Sequence, residues 1–174
     1  LYLAYPSPHT PWLPTEEFDG KTEVGLYGDF TTMVDHEVGK VIAALDAAEM
    51  NDNTMVIFTV DNGPVWYDED VEKYGHDSSG GLRGMKADAW EGGHRMPFIV
   101  KWPGTIEANR VTDQTVCFTD VFATFAELTK QEIPAGQAPD SESFLPVLTG
   151  DQLETDPVRG PIVLKAGRGH AMIR

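Results

Sequence analysis

The chain has 174 residues, enough to bury a substantial core, and its composition (41% hydrophobic, 24% charged, 10% aromatic) is that of a globular protein, not a disordered or collagen-like one. A formal net charge of -15, from 28 Asp and Glu against 13 Lys and Arg, would repel a polyanion and argues against nucleic-acid binding through a basic face. The single cysteine, Cys117, excludes an internal disulfide and a multi-cysteine zinc site.

Leu1-Tyr2-Leu3-Ala4-Tyr5 reads as a buried strand, too short for a signal-peptide core or a membrane span. A natural chain seldom opens inside a strand, and the run at Ile173-Arg174 has no polar tail, so both ends read as cut. A turn-rich stretch follows from Pro6 to Gly20. Then Tyr27, Phe30, Val34, Val38, Val41 and Leu45 recur at spacings of three and four, with Met33 and Ile42 thickening the stripe. This predicts an amphipathic helix, with Asp35, Glu37 and Lys40 on its wetter side and an end near Asn51-Asp52-Asn53. Thr54 to Val60 is apolar and β-branched, as in a fully buried strand. Strand, helix and buried strand in succession predict a crossover in a largely parallel sheet. A long loop rich in Gly, Ser and Asp runs to about Gly93. Strands are predicted at Met96–Trp102 and Pro161–Lys165. Between them Thr119–Lys130 is predicted as a helix with Val121, Phe122, Phe125 and Leu128 facing inward. No repeat or linker interrupts the chain, so residues 1–174 read as one incomplete α/β unit.

Three places could carry chemistry. Asp61-Asn62 stand where a buried strand ends, the edge at which open α/β sheets bind ligands. A carboxylate beside an amide oxygen suits a hard cation such as Ca²⁺ or Mg²⁺, although six or so donors are needed and two are present. The alternative is an Asx-type turn, for which Asp-Asn-Gly is ordinary chemistry. The second place is the glycine-rich run holding Arg83, Lys86 and Arg95. Its glycines allow close backbone approach and its cations could hold an anion. It is not a phosphate-binding loop of the Walker type, because Ala87 follows Lys86. The alternative is a flexible surface loop whose arginines pair with carboxylates. The third place is His9, which would emerge at the same sheet edge as Asp61 if the two strands ran parallel. His36 falls on the predicted helix as a solvated residue, and His76, His94 and His170 fall in loops.

Taken in order, these segments resemble the sulfatase family of the alkaline-phosphatase-like superfamily. The resemblance is carried by Leu1–Trp12 with its Pro-His-x-Pro, Tyr27–Leu45, NTMVIFTVDNGP at Asn53–Pro64, LRGMK at Leu82–Lys86 and WEGGHRMPFIVKWPG at Trp90–Gly104, then Thr119-Asp120 and Ser143–Gly150. It implies a partial alkaline-phosphatase-like domain. It also implies that Asp61 and Asn62 are the late pair of Ca²⁺ ligands, that Lys86 contacts a sulfate oxygen, and that His9 borders the sulfate and protonates the leaving oxygen. Arg83, Glu91, Gly92, Gly93 and Arg95 match the surrounding loop, with architectural roles.

Sulfatases use a formylglycine made within a Cys/Ser-x-Pro/Ala-x-Arg signature, and Cys117 in Val116-Cys117-Phe118-Thr119-Asp120 does not fit it. Cys117 reads as a small buried hydrophobe. The resemblance therefore implies a fragment of a sulfuric ester hydrolase, inactive alone, whose parent takes an aryl sulfate or a sulfated carbohydrate in a periplasmic, extracellular or lysosomal setting. Uncovered edges would invite self-association. The alternatives are a phosphodiesterase or phosphonate hydrolase of the same superfamily, or a non-catalytic α/β binding fragment.

Overall fold

The structure is a computed structural model and describes residues 1–167 and 169–174. The chain divides into two compact units: Leu1–Asp52 with Val60–Met96, and Asn53–Thr59 with Pro97–Arg174. No helix among the described residues is long and apolar enough to cross a membrane.

In the first unit the dominant element is α1, Gly25–Ala47, which starts two residues before the predicted stripe and ends a few residues short of the predicted stop near Asn51-Asp52-Asn53. Its start owes nothing to the residue before it, since Val24 makes no side-chain cap. Instead Asp29, only 1% exposed, reaches back and accepts the N–H groups of Gly20 (2.9 Å) and Thr22 (2.7 Å). These bonds fix the turn that feeds the helix. Gly25 sits at φ +63°, and a Cβ there would press on Tyr74. The apolar stripe lies half-buried or buried as its spacing predicts, and His36 is exposed. At the far end Met50 donates to the Leu45 carbonyl (3.0 Å), and a 3₁₀ turn over Asn51–Asn53 closes the helix.

Leu1–Pro6 adopts no strand, and Leu1, Tyr2, Leu3 and Tyr5 are exposed. Strand propensity alone does not make a strand: the ladder needs a neighbour to accept and donate, and this segment has none among the described residues. The region predicted as unbroken loop holds two short helices, α2 (Asp68–Tyr74) and α3 (Glu91–His94). In α2 the Tyr67 N–H bonds the Asp70 carboxylate, three acidic residues occupy the first turn, and Gly75 ends it at φ 62°.

The second unit begins with β1 (Val56–Thr59), which pairs antiparallel with β2 (Phe98–Lys101), Val56 opposite Lys101 and Thr59 opposite Phe98. The later strands β3 (Val163–Lys165) and β4 (Ala171–Ile173) are also antiparallel. The largely parallel sheet predicted from strand–helix–strand order is therefore not formed among the described strands. The crossover needed Leu1–Tyr5 as its first strand. The same absence removes the parallel edge that was to bring His9 beside Asp61.

Helix α4 (Asp120–Leu128) lies where predicted, but of the four residues expected to face inward only Val121 and Leu128 are half-buried. Asp120, Ala123 and Thr124 are buried, while Phe122 and Phe125 are 55% and 41% exposed. The polar face faces inward because it is satisfied there. Asp120 accepts the Cys117 (2.7 Å) and Glu142 (3.0 Å) N–H groups and pairs with Arg159 at 2.5 Å. The Thr124 hydroxyl donates to the Asp120 carbonyl and accepts the Phe144 N–H. Phe144, 1% exposed, meets Phe98 of β2 edge-on at 5.6 Å. Short α5 (Leu145–Thr149) buries Val147 beside it. Cys117 is free and half-buried.

Candidate functional site

Asp61 and Asn62 follow β1 by two and three residues, in the first unit, with Asp61 exposed and Asn62 half-buried. The Asn62 side-chain nitrogen donates to the Gly63 carbonyl at 2.9 Å. Its side-chain oxygen is then the atom left for a cation. The turn beyond is held without side chains. Gly63 N–H donates to the Gly93 carbonyl (3.0 Å), and Lys86 N–H donates to the Pro64 carbonyl (2.8 Å).

This seam explains the glycines. A Cβ on Gly63 would overlap the Gly92 carbonyl, one on Gly92 would overlap the Gly84 carbonyl, and one on Gly93 would overlap the Asp88 carbonyl. Gly92 N–H also donates to the Arg83 carbonyl at 2.8 Å. The run from Arg83 to Gly93 is thus folded back on itself by main-chain contacts, which leaves little of the flexible-loop alternative. Its cations are placed differently from one another. Arg83 stacks over Trp90 at 3.7 Å, Arg95 pairs with Glu91 at 3.6 Å, and Lys86 is half-buried with its backbone fastened two residues beyond Asn62.

His9 is exposed, and its Nδ1 lies 2.7 Å from the Thr10 carbonyl. If Nδ1 carries the proton there, Nε2 is the ring nitrogen with the lone pair. The segment is anchored three residues on. The Trp12 ring lies 5.4 Å from Tyr27 and 6.2 Å from Trp66, and Trp66 stacks on Tyr27 at 4.6 Å. Trp66 is 6% exposed, and its indole N–H donates to the His76 carbonyl at 2.7 Å. Since Trp66 lies four residues after Asn62, this aromatic cluster ties the His9 segment to the loop that carries Asp61.

The structure therefore joins the Asp61-Asn62 turn to the Lys86 loop by backbone bonds, and to the His9 segment through stacked rings. Sequence reasoning passed over Trp12 and Trp66 as positioning groups; the one signal was two tryptophans set three and four residues beyond His9 and Asn62. It also passed over Asp77, which accepts the Ser79 hydroxyl (2.6 Å) and the Ser79 and Gly81 N–H groups, bonds that hold its carboxyl below the usual range. Asp77 shapes the turn leading into Leu82. Among the described residues no group of three or more His, Cys, Asp or Glu gathers to hold a metal. Asp61 and Asn62 are right in kind for a hard cation but supply two of the six or so oxygens it takes.

The chain belongs to the sulfatase family, whose family model matches residues 1–131. An N-acetylgalactosamine-6-O-sulfatase of Bacteroides thetaiotaomicron is 40% identical over 157 residues, covering 86% of this chain and 30% of that protein. The steryl-sulfatase of Homo sapiens is 34% identical, covering 90% of this chain and 27% of that protein. A solved structure described under the metabolism of multiple glycosaminoglycans by Bacteroides thetaiotaomicron superposes with TM-score 0.87 at 36% identity, covering 97% of this chain and 35% of its own. The chain thus spans about a third of the length of these relatives and has the α/β fold of the corresponding part.

Proposed function

We propose that this chain supplies part of the active site of a sulfuric ester hydrolase: the late pair of Ca²⁺ ligands, Asp61 and Asn62, the sulfate-contacting Lys86, and the acid His9. The observation that carries the reading is the main-chain seam from Gly63 to Gly93 and from Pro64 to Lys86. It fastens a hard-cation donor pair and a lysine to one another independently of any side chain. When bound, Ca²⁺ would orient and polarise a sulfate oxygen. Lys86 contacts a sulfate oxygen and offsets negative charge in the transition state, the task of a cation placed before the reaction begins. His9 in its protonated form gives a proton to the leaving alcohol oxygen.

The formylglycine that would attack sulfur requires a Cys/Ser-x-Pro/Ala-x-Arg signature, and none of the 174 residues forms one. The chain by itself is therefore inactive, and the chemistry belongs to a longer parent. The substrate is a sulfate ester. Its alcohol part is a carbohydrate on the strength of the relative named N-acetylgalactosamine-6-O-sulfatase, with aryl and steryl sulfates as the competing class.

Two measurements test this. The purified chain with Ca²⁺ should show no turnover of an aryl sulfate; saturable turnover would overturn the account of the absent nucleophile. In a longer enzyme containing this segment and the signature, Lys86→Ala should lower kcat by about 10²–10³, as loss of a transition-state charge partner does. An unchanged kcat would remove Lys86 from the chemistry.

A further inference from the structure

Lys86 stands at the tip of a tight turn. Asp88 N–H donates to the Met85 carbonyl at 2.9 Å, Lys86 keeps a negative φ and Ala87 takes φ 74°. This is a type II turn with Lys86 at its second position and Ala87 at its third, where glycine or asparagine is the ordinary choice. An alanine in left-handed backbone is strained, and such strain persists only where the surroundings impose it. Two features impose it here. The Asp88 carboxylate accepts the Met85 N–H at 3.1 Å, so residues 85 and 88 exchange hydrogen bonds in both directions. Gly93 packs against the turn from below, since a Cβ there would overlap the Met85 and Asp88 carbonyls. The bond from Lys86 N–H to Pro64 fixes the lysine's main chain at one point, whereas the turn sets the direction in which its side chain leaves.

The charges of the loop are sorted to the same end. Arg83 is stacked on Trp90 and Arg95 is paired with Glu91. Lys86 is half-buried in a chain with 28 Asp and Glu against 13 Lys and Arg, yet its ammonium makes no hydrogen bond or ion pair among the described residues. The carboxylate nearest to it in sequence, that of Asp88, is engaged by a backbone N–H instead. We propose that Asp88 is a positioning residue for Lys86: its carboxylate clamps the Met85–Asp88 turn, which aims the ammonium and leaves its charge unpaired for a sulfate oxygen. This role rests on the reading of Lys86 as the sulfate contact. Asp88 itself touches neither substrate nor metal.

The test is kinetic, in a longer enzyme that contains this segment and the formylglycine signature. Asp88→Ala should lower kcat by about 10- to 100-fold, as a small misplacement of a catalytic group does. Asp88→Asn should restore kcat to within about threefold, because its amide oxygen can still accept the Met85 N–H. On top of Lys86→Ala, Asp88→Ala should cost no more than about twofold further, since a residue that acts through the lysine has nothing left to act on. Equal falls for Asp88→Ala and Asp88→Asn would assign the effect to the charge and overturn the clamp, and so would a full second fall in the double variant. Full kcat in Asp88→Ala beside a slow Lys86→Ala enzyme would sink the clamp and leave the lysine's role standing; full kcat in Lys86→Ala would remove both. The turn is also read without catalysis, in the isolated chain, where the Met85 amide should exchange with deuterium about tenfold faster in Asp88→Ala than in Asp88→Asn. Equal exchange in the two variants would mean that no clamp exists.

Discussion

At the scale of single residues, what decides the site is the absence of a side chain. A methyl group at Gly63 has nowhere to go but into the Gly92 carbonyl, so Gly63→Ala must push two backbone segments apart. The cost expected from overpacking is about 1–3 kcal/mol, measurable as a lower urea midpoint, with Gly160→Ala the control because nothing lies within 4 Å of that position and its backbone is not left-handed. A midpoint equal to that of the unsubstituted chain would mean that the seam is loose.

Asp29 makes the converse case, a charge kept in place by the backbone around it. Burial raises its pKa, yet the N–H groups of Gly20 and Thr22 and the Thr22 hydroxyl outweigh that and leave it below the ordinary 3.8. A carboxyl lowered on folding adds stability at pH values above its unfolded pKa, and that stability drains away as pH falls through the folded value. Stability should therefore decline more steeply on acidification below about pH 4 in the native chain than in Asp29→Asn, as read by urea midpoints across pH. Parallel curves would show that folding does not lower the Asp29 pKa.

Among the elements, α1 was legible because its apolar residues repeat over five turns and its interior needs no partner beyond itself. α4 was legible in extent but not in orientation. Its periodicity defines two faces, and the apolar one is taken to face inward unless something holds the polar one there. What holds it is Arg159, 39 residues from Asp120, a distance at which sequence pattern says nothing. Arg159→Met should cost about 3–5 kcal/mol by leaving Asp120 buried and unpaired, seen in chemical denaturation; a loss below ~1 kcal/mol would place the pair among weak surface bridges. The strand predicted at Leu1–Tyr5 failed for a related reason. Strands are made between segments, and a local run of apolar residues cannot report whether a neighbour exists. At the site, Asp61, Asn62, Lys86 and His9 could be chosen from their order along the chain. The carbonyl–amide bonds and tryptophan stack that hold them could not, since the glycines and tryptophans mark close approach and aromatic packing without naming their partners.

At the scale of the molecule, the chain spans about a third of the length of its relatives, and the proposed ligands Asp61 and Asn62 supply two of the six or so donors a hard cation takes. Calorimetry should find weak Ca²⁺ binding or none, since two oxygen-bearing side chains leave most of the coordination shell to water. A tight single site abolished by Asp61→Ala would mean that this chain completes the shell unaided. Exposed Leu1, Tyr2, Phe122 and Phe125 favour association, while the net charge of -15 opposes it. The chain should accordingly stay monomeric in dilute buffer and begin to scatter light as salt shortens the reach of its charge to below about 10 Å. Association that weakens with salt would point to ion pairing as its cause.

The seam between Gly63 and Gly93 is written entirely in peptide groups, so what it stores is a count. Most substitutions between Lys86 and Gly93 would leave the two loops in step, provided the glycines stay. One residue added or deleted there would carry Lys86 out of phase with Asp61, whatever its chemistry. Length is the variable this stretch of chain is least free to change.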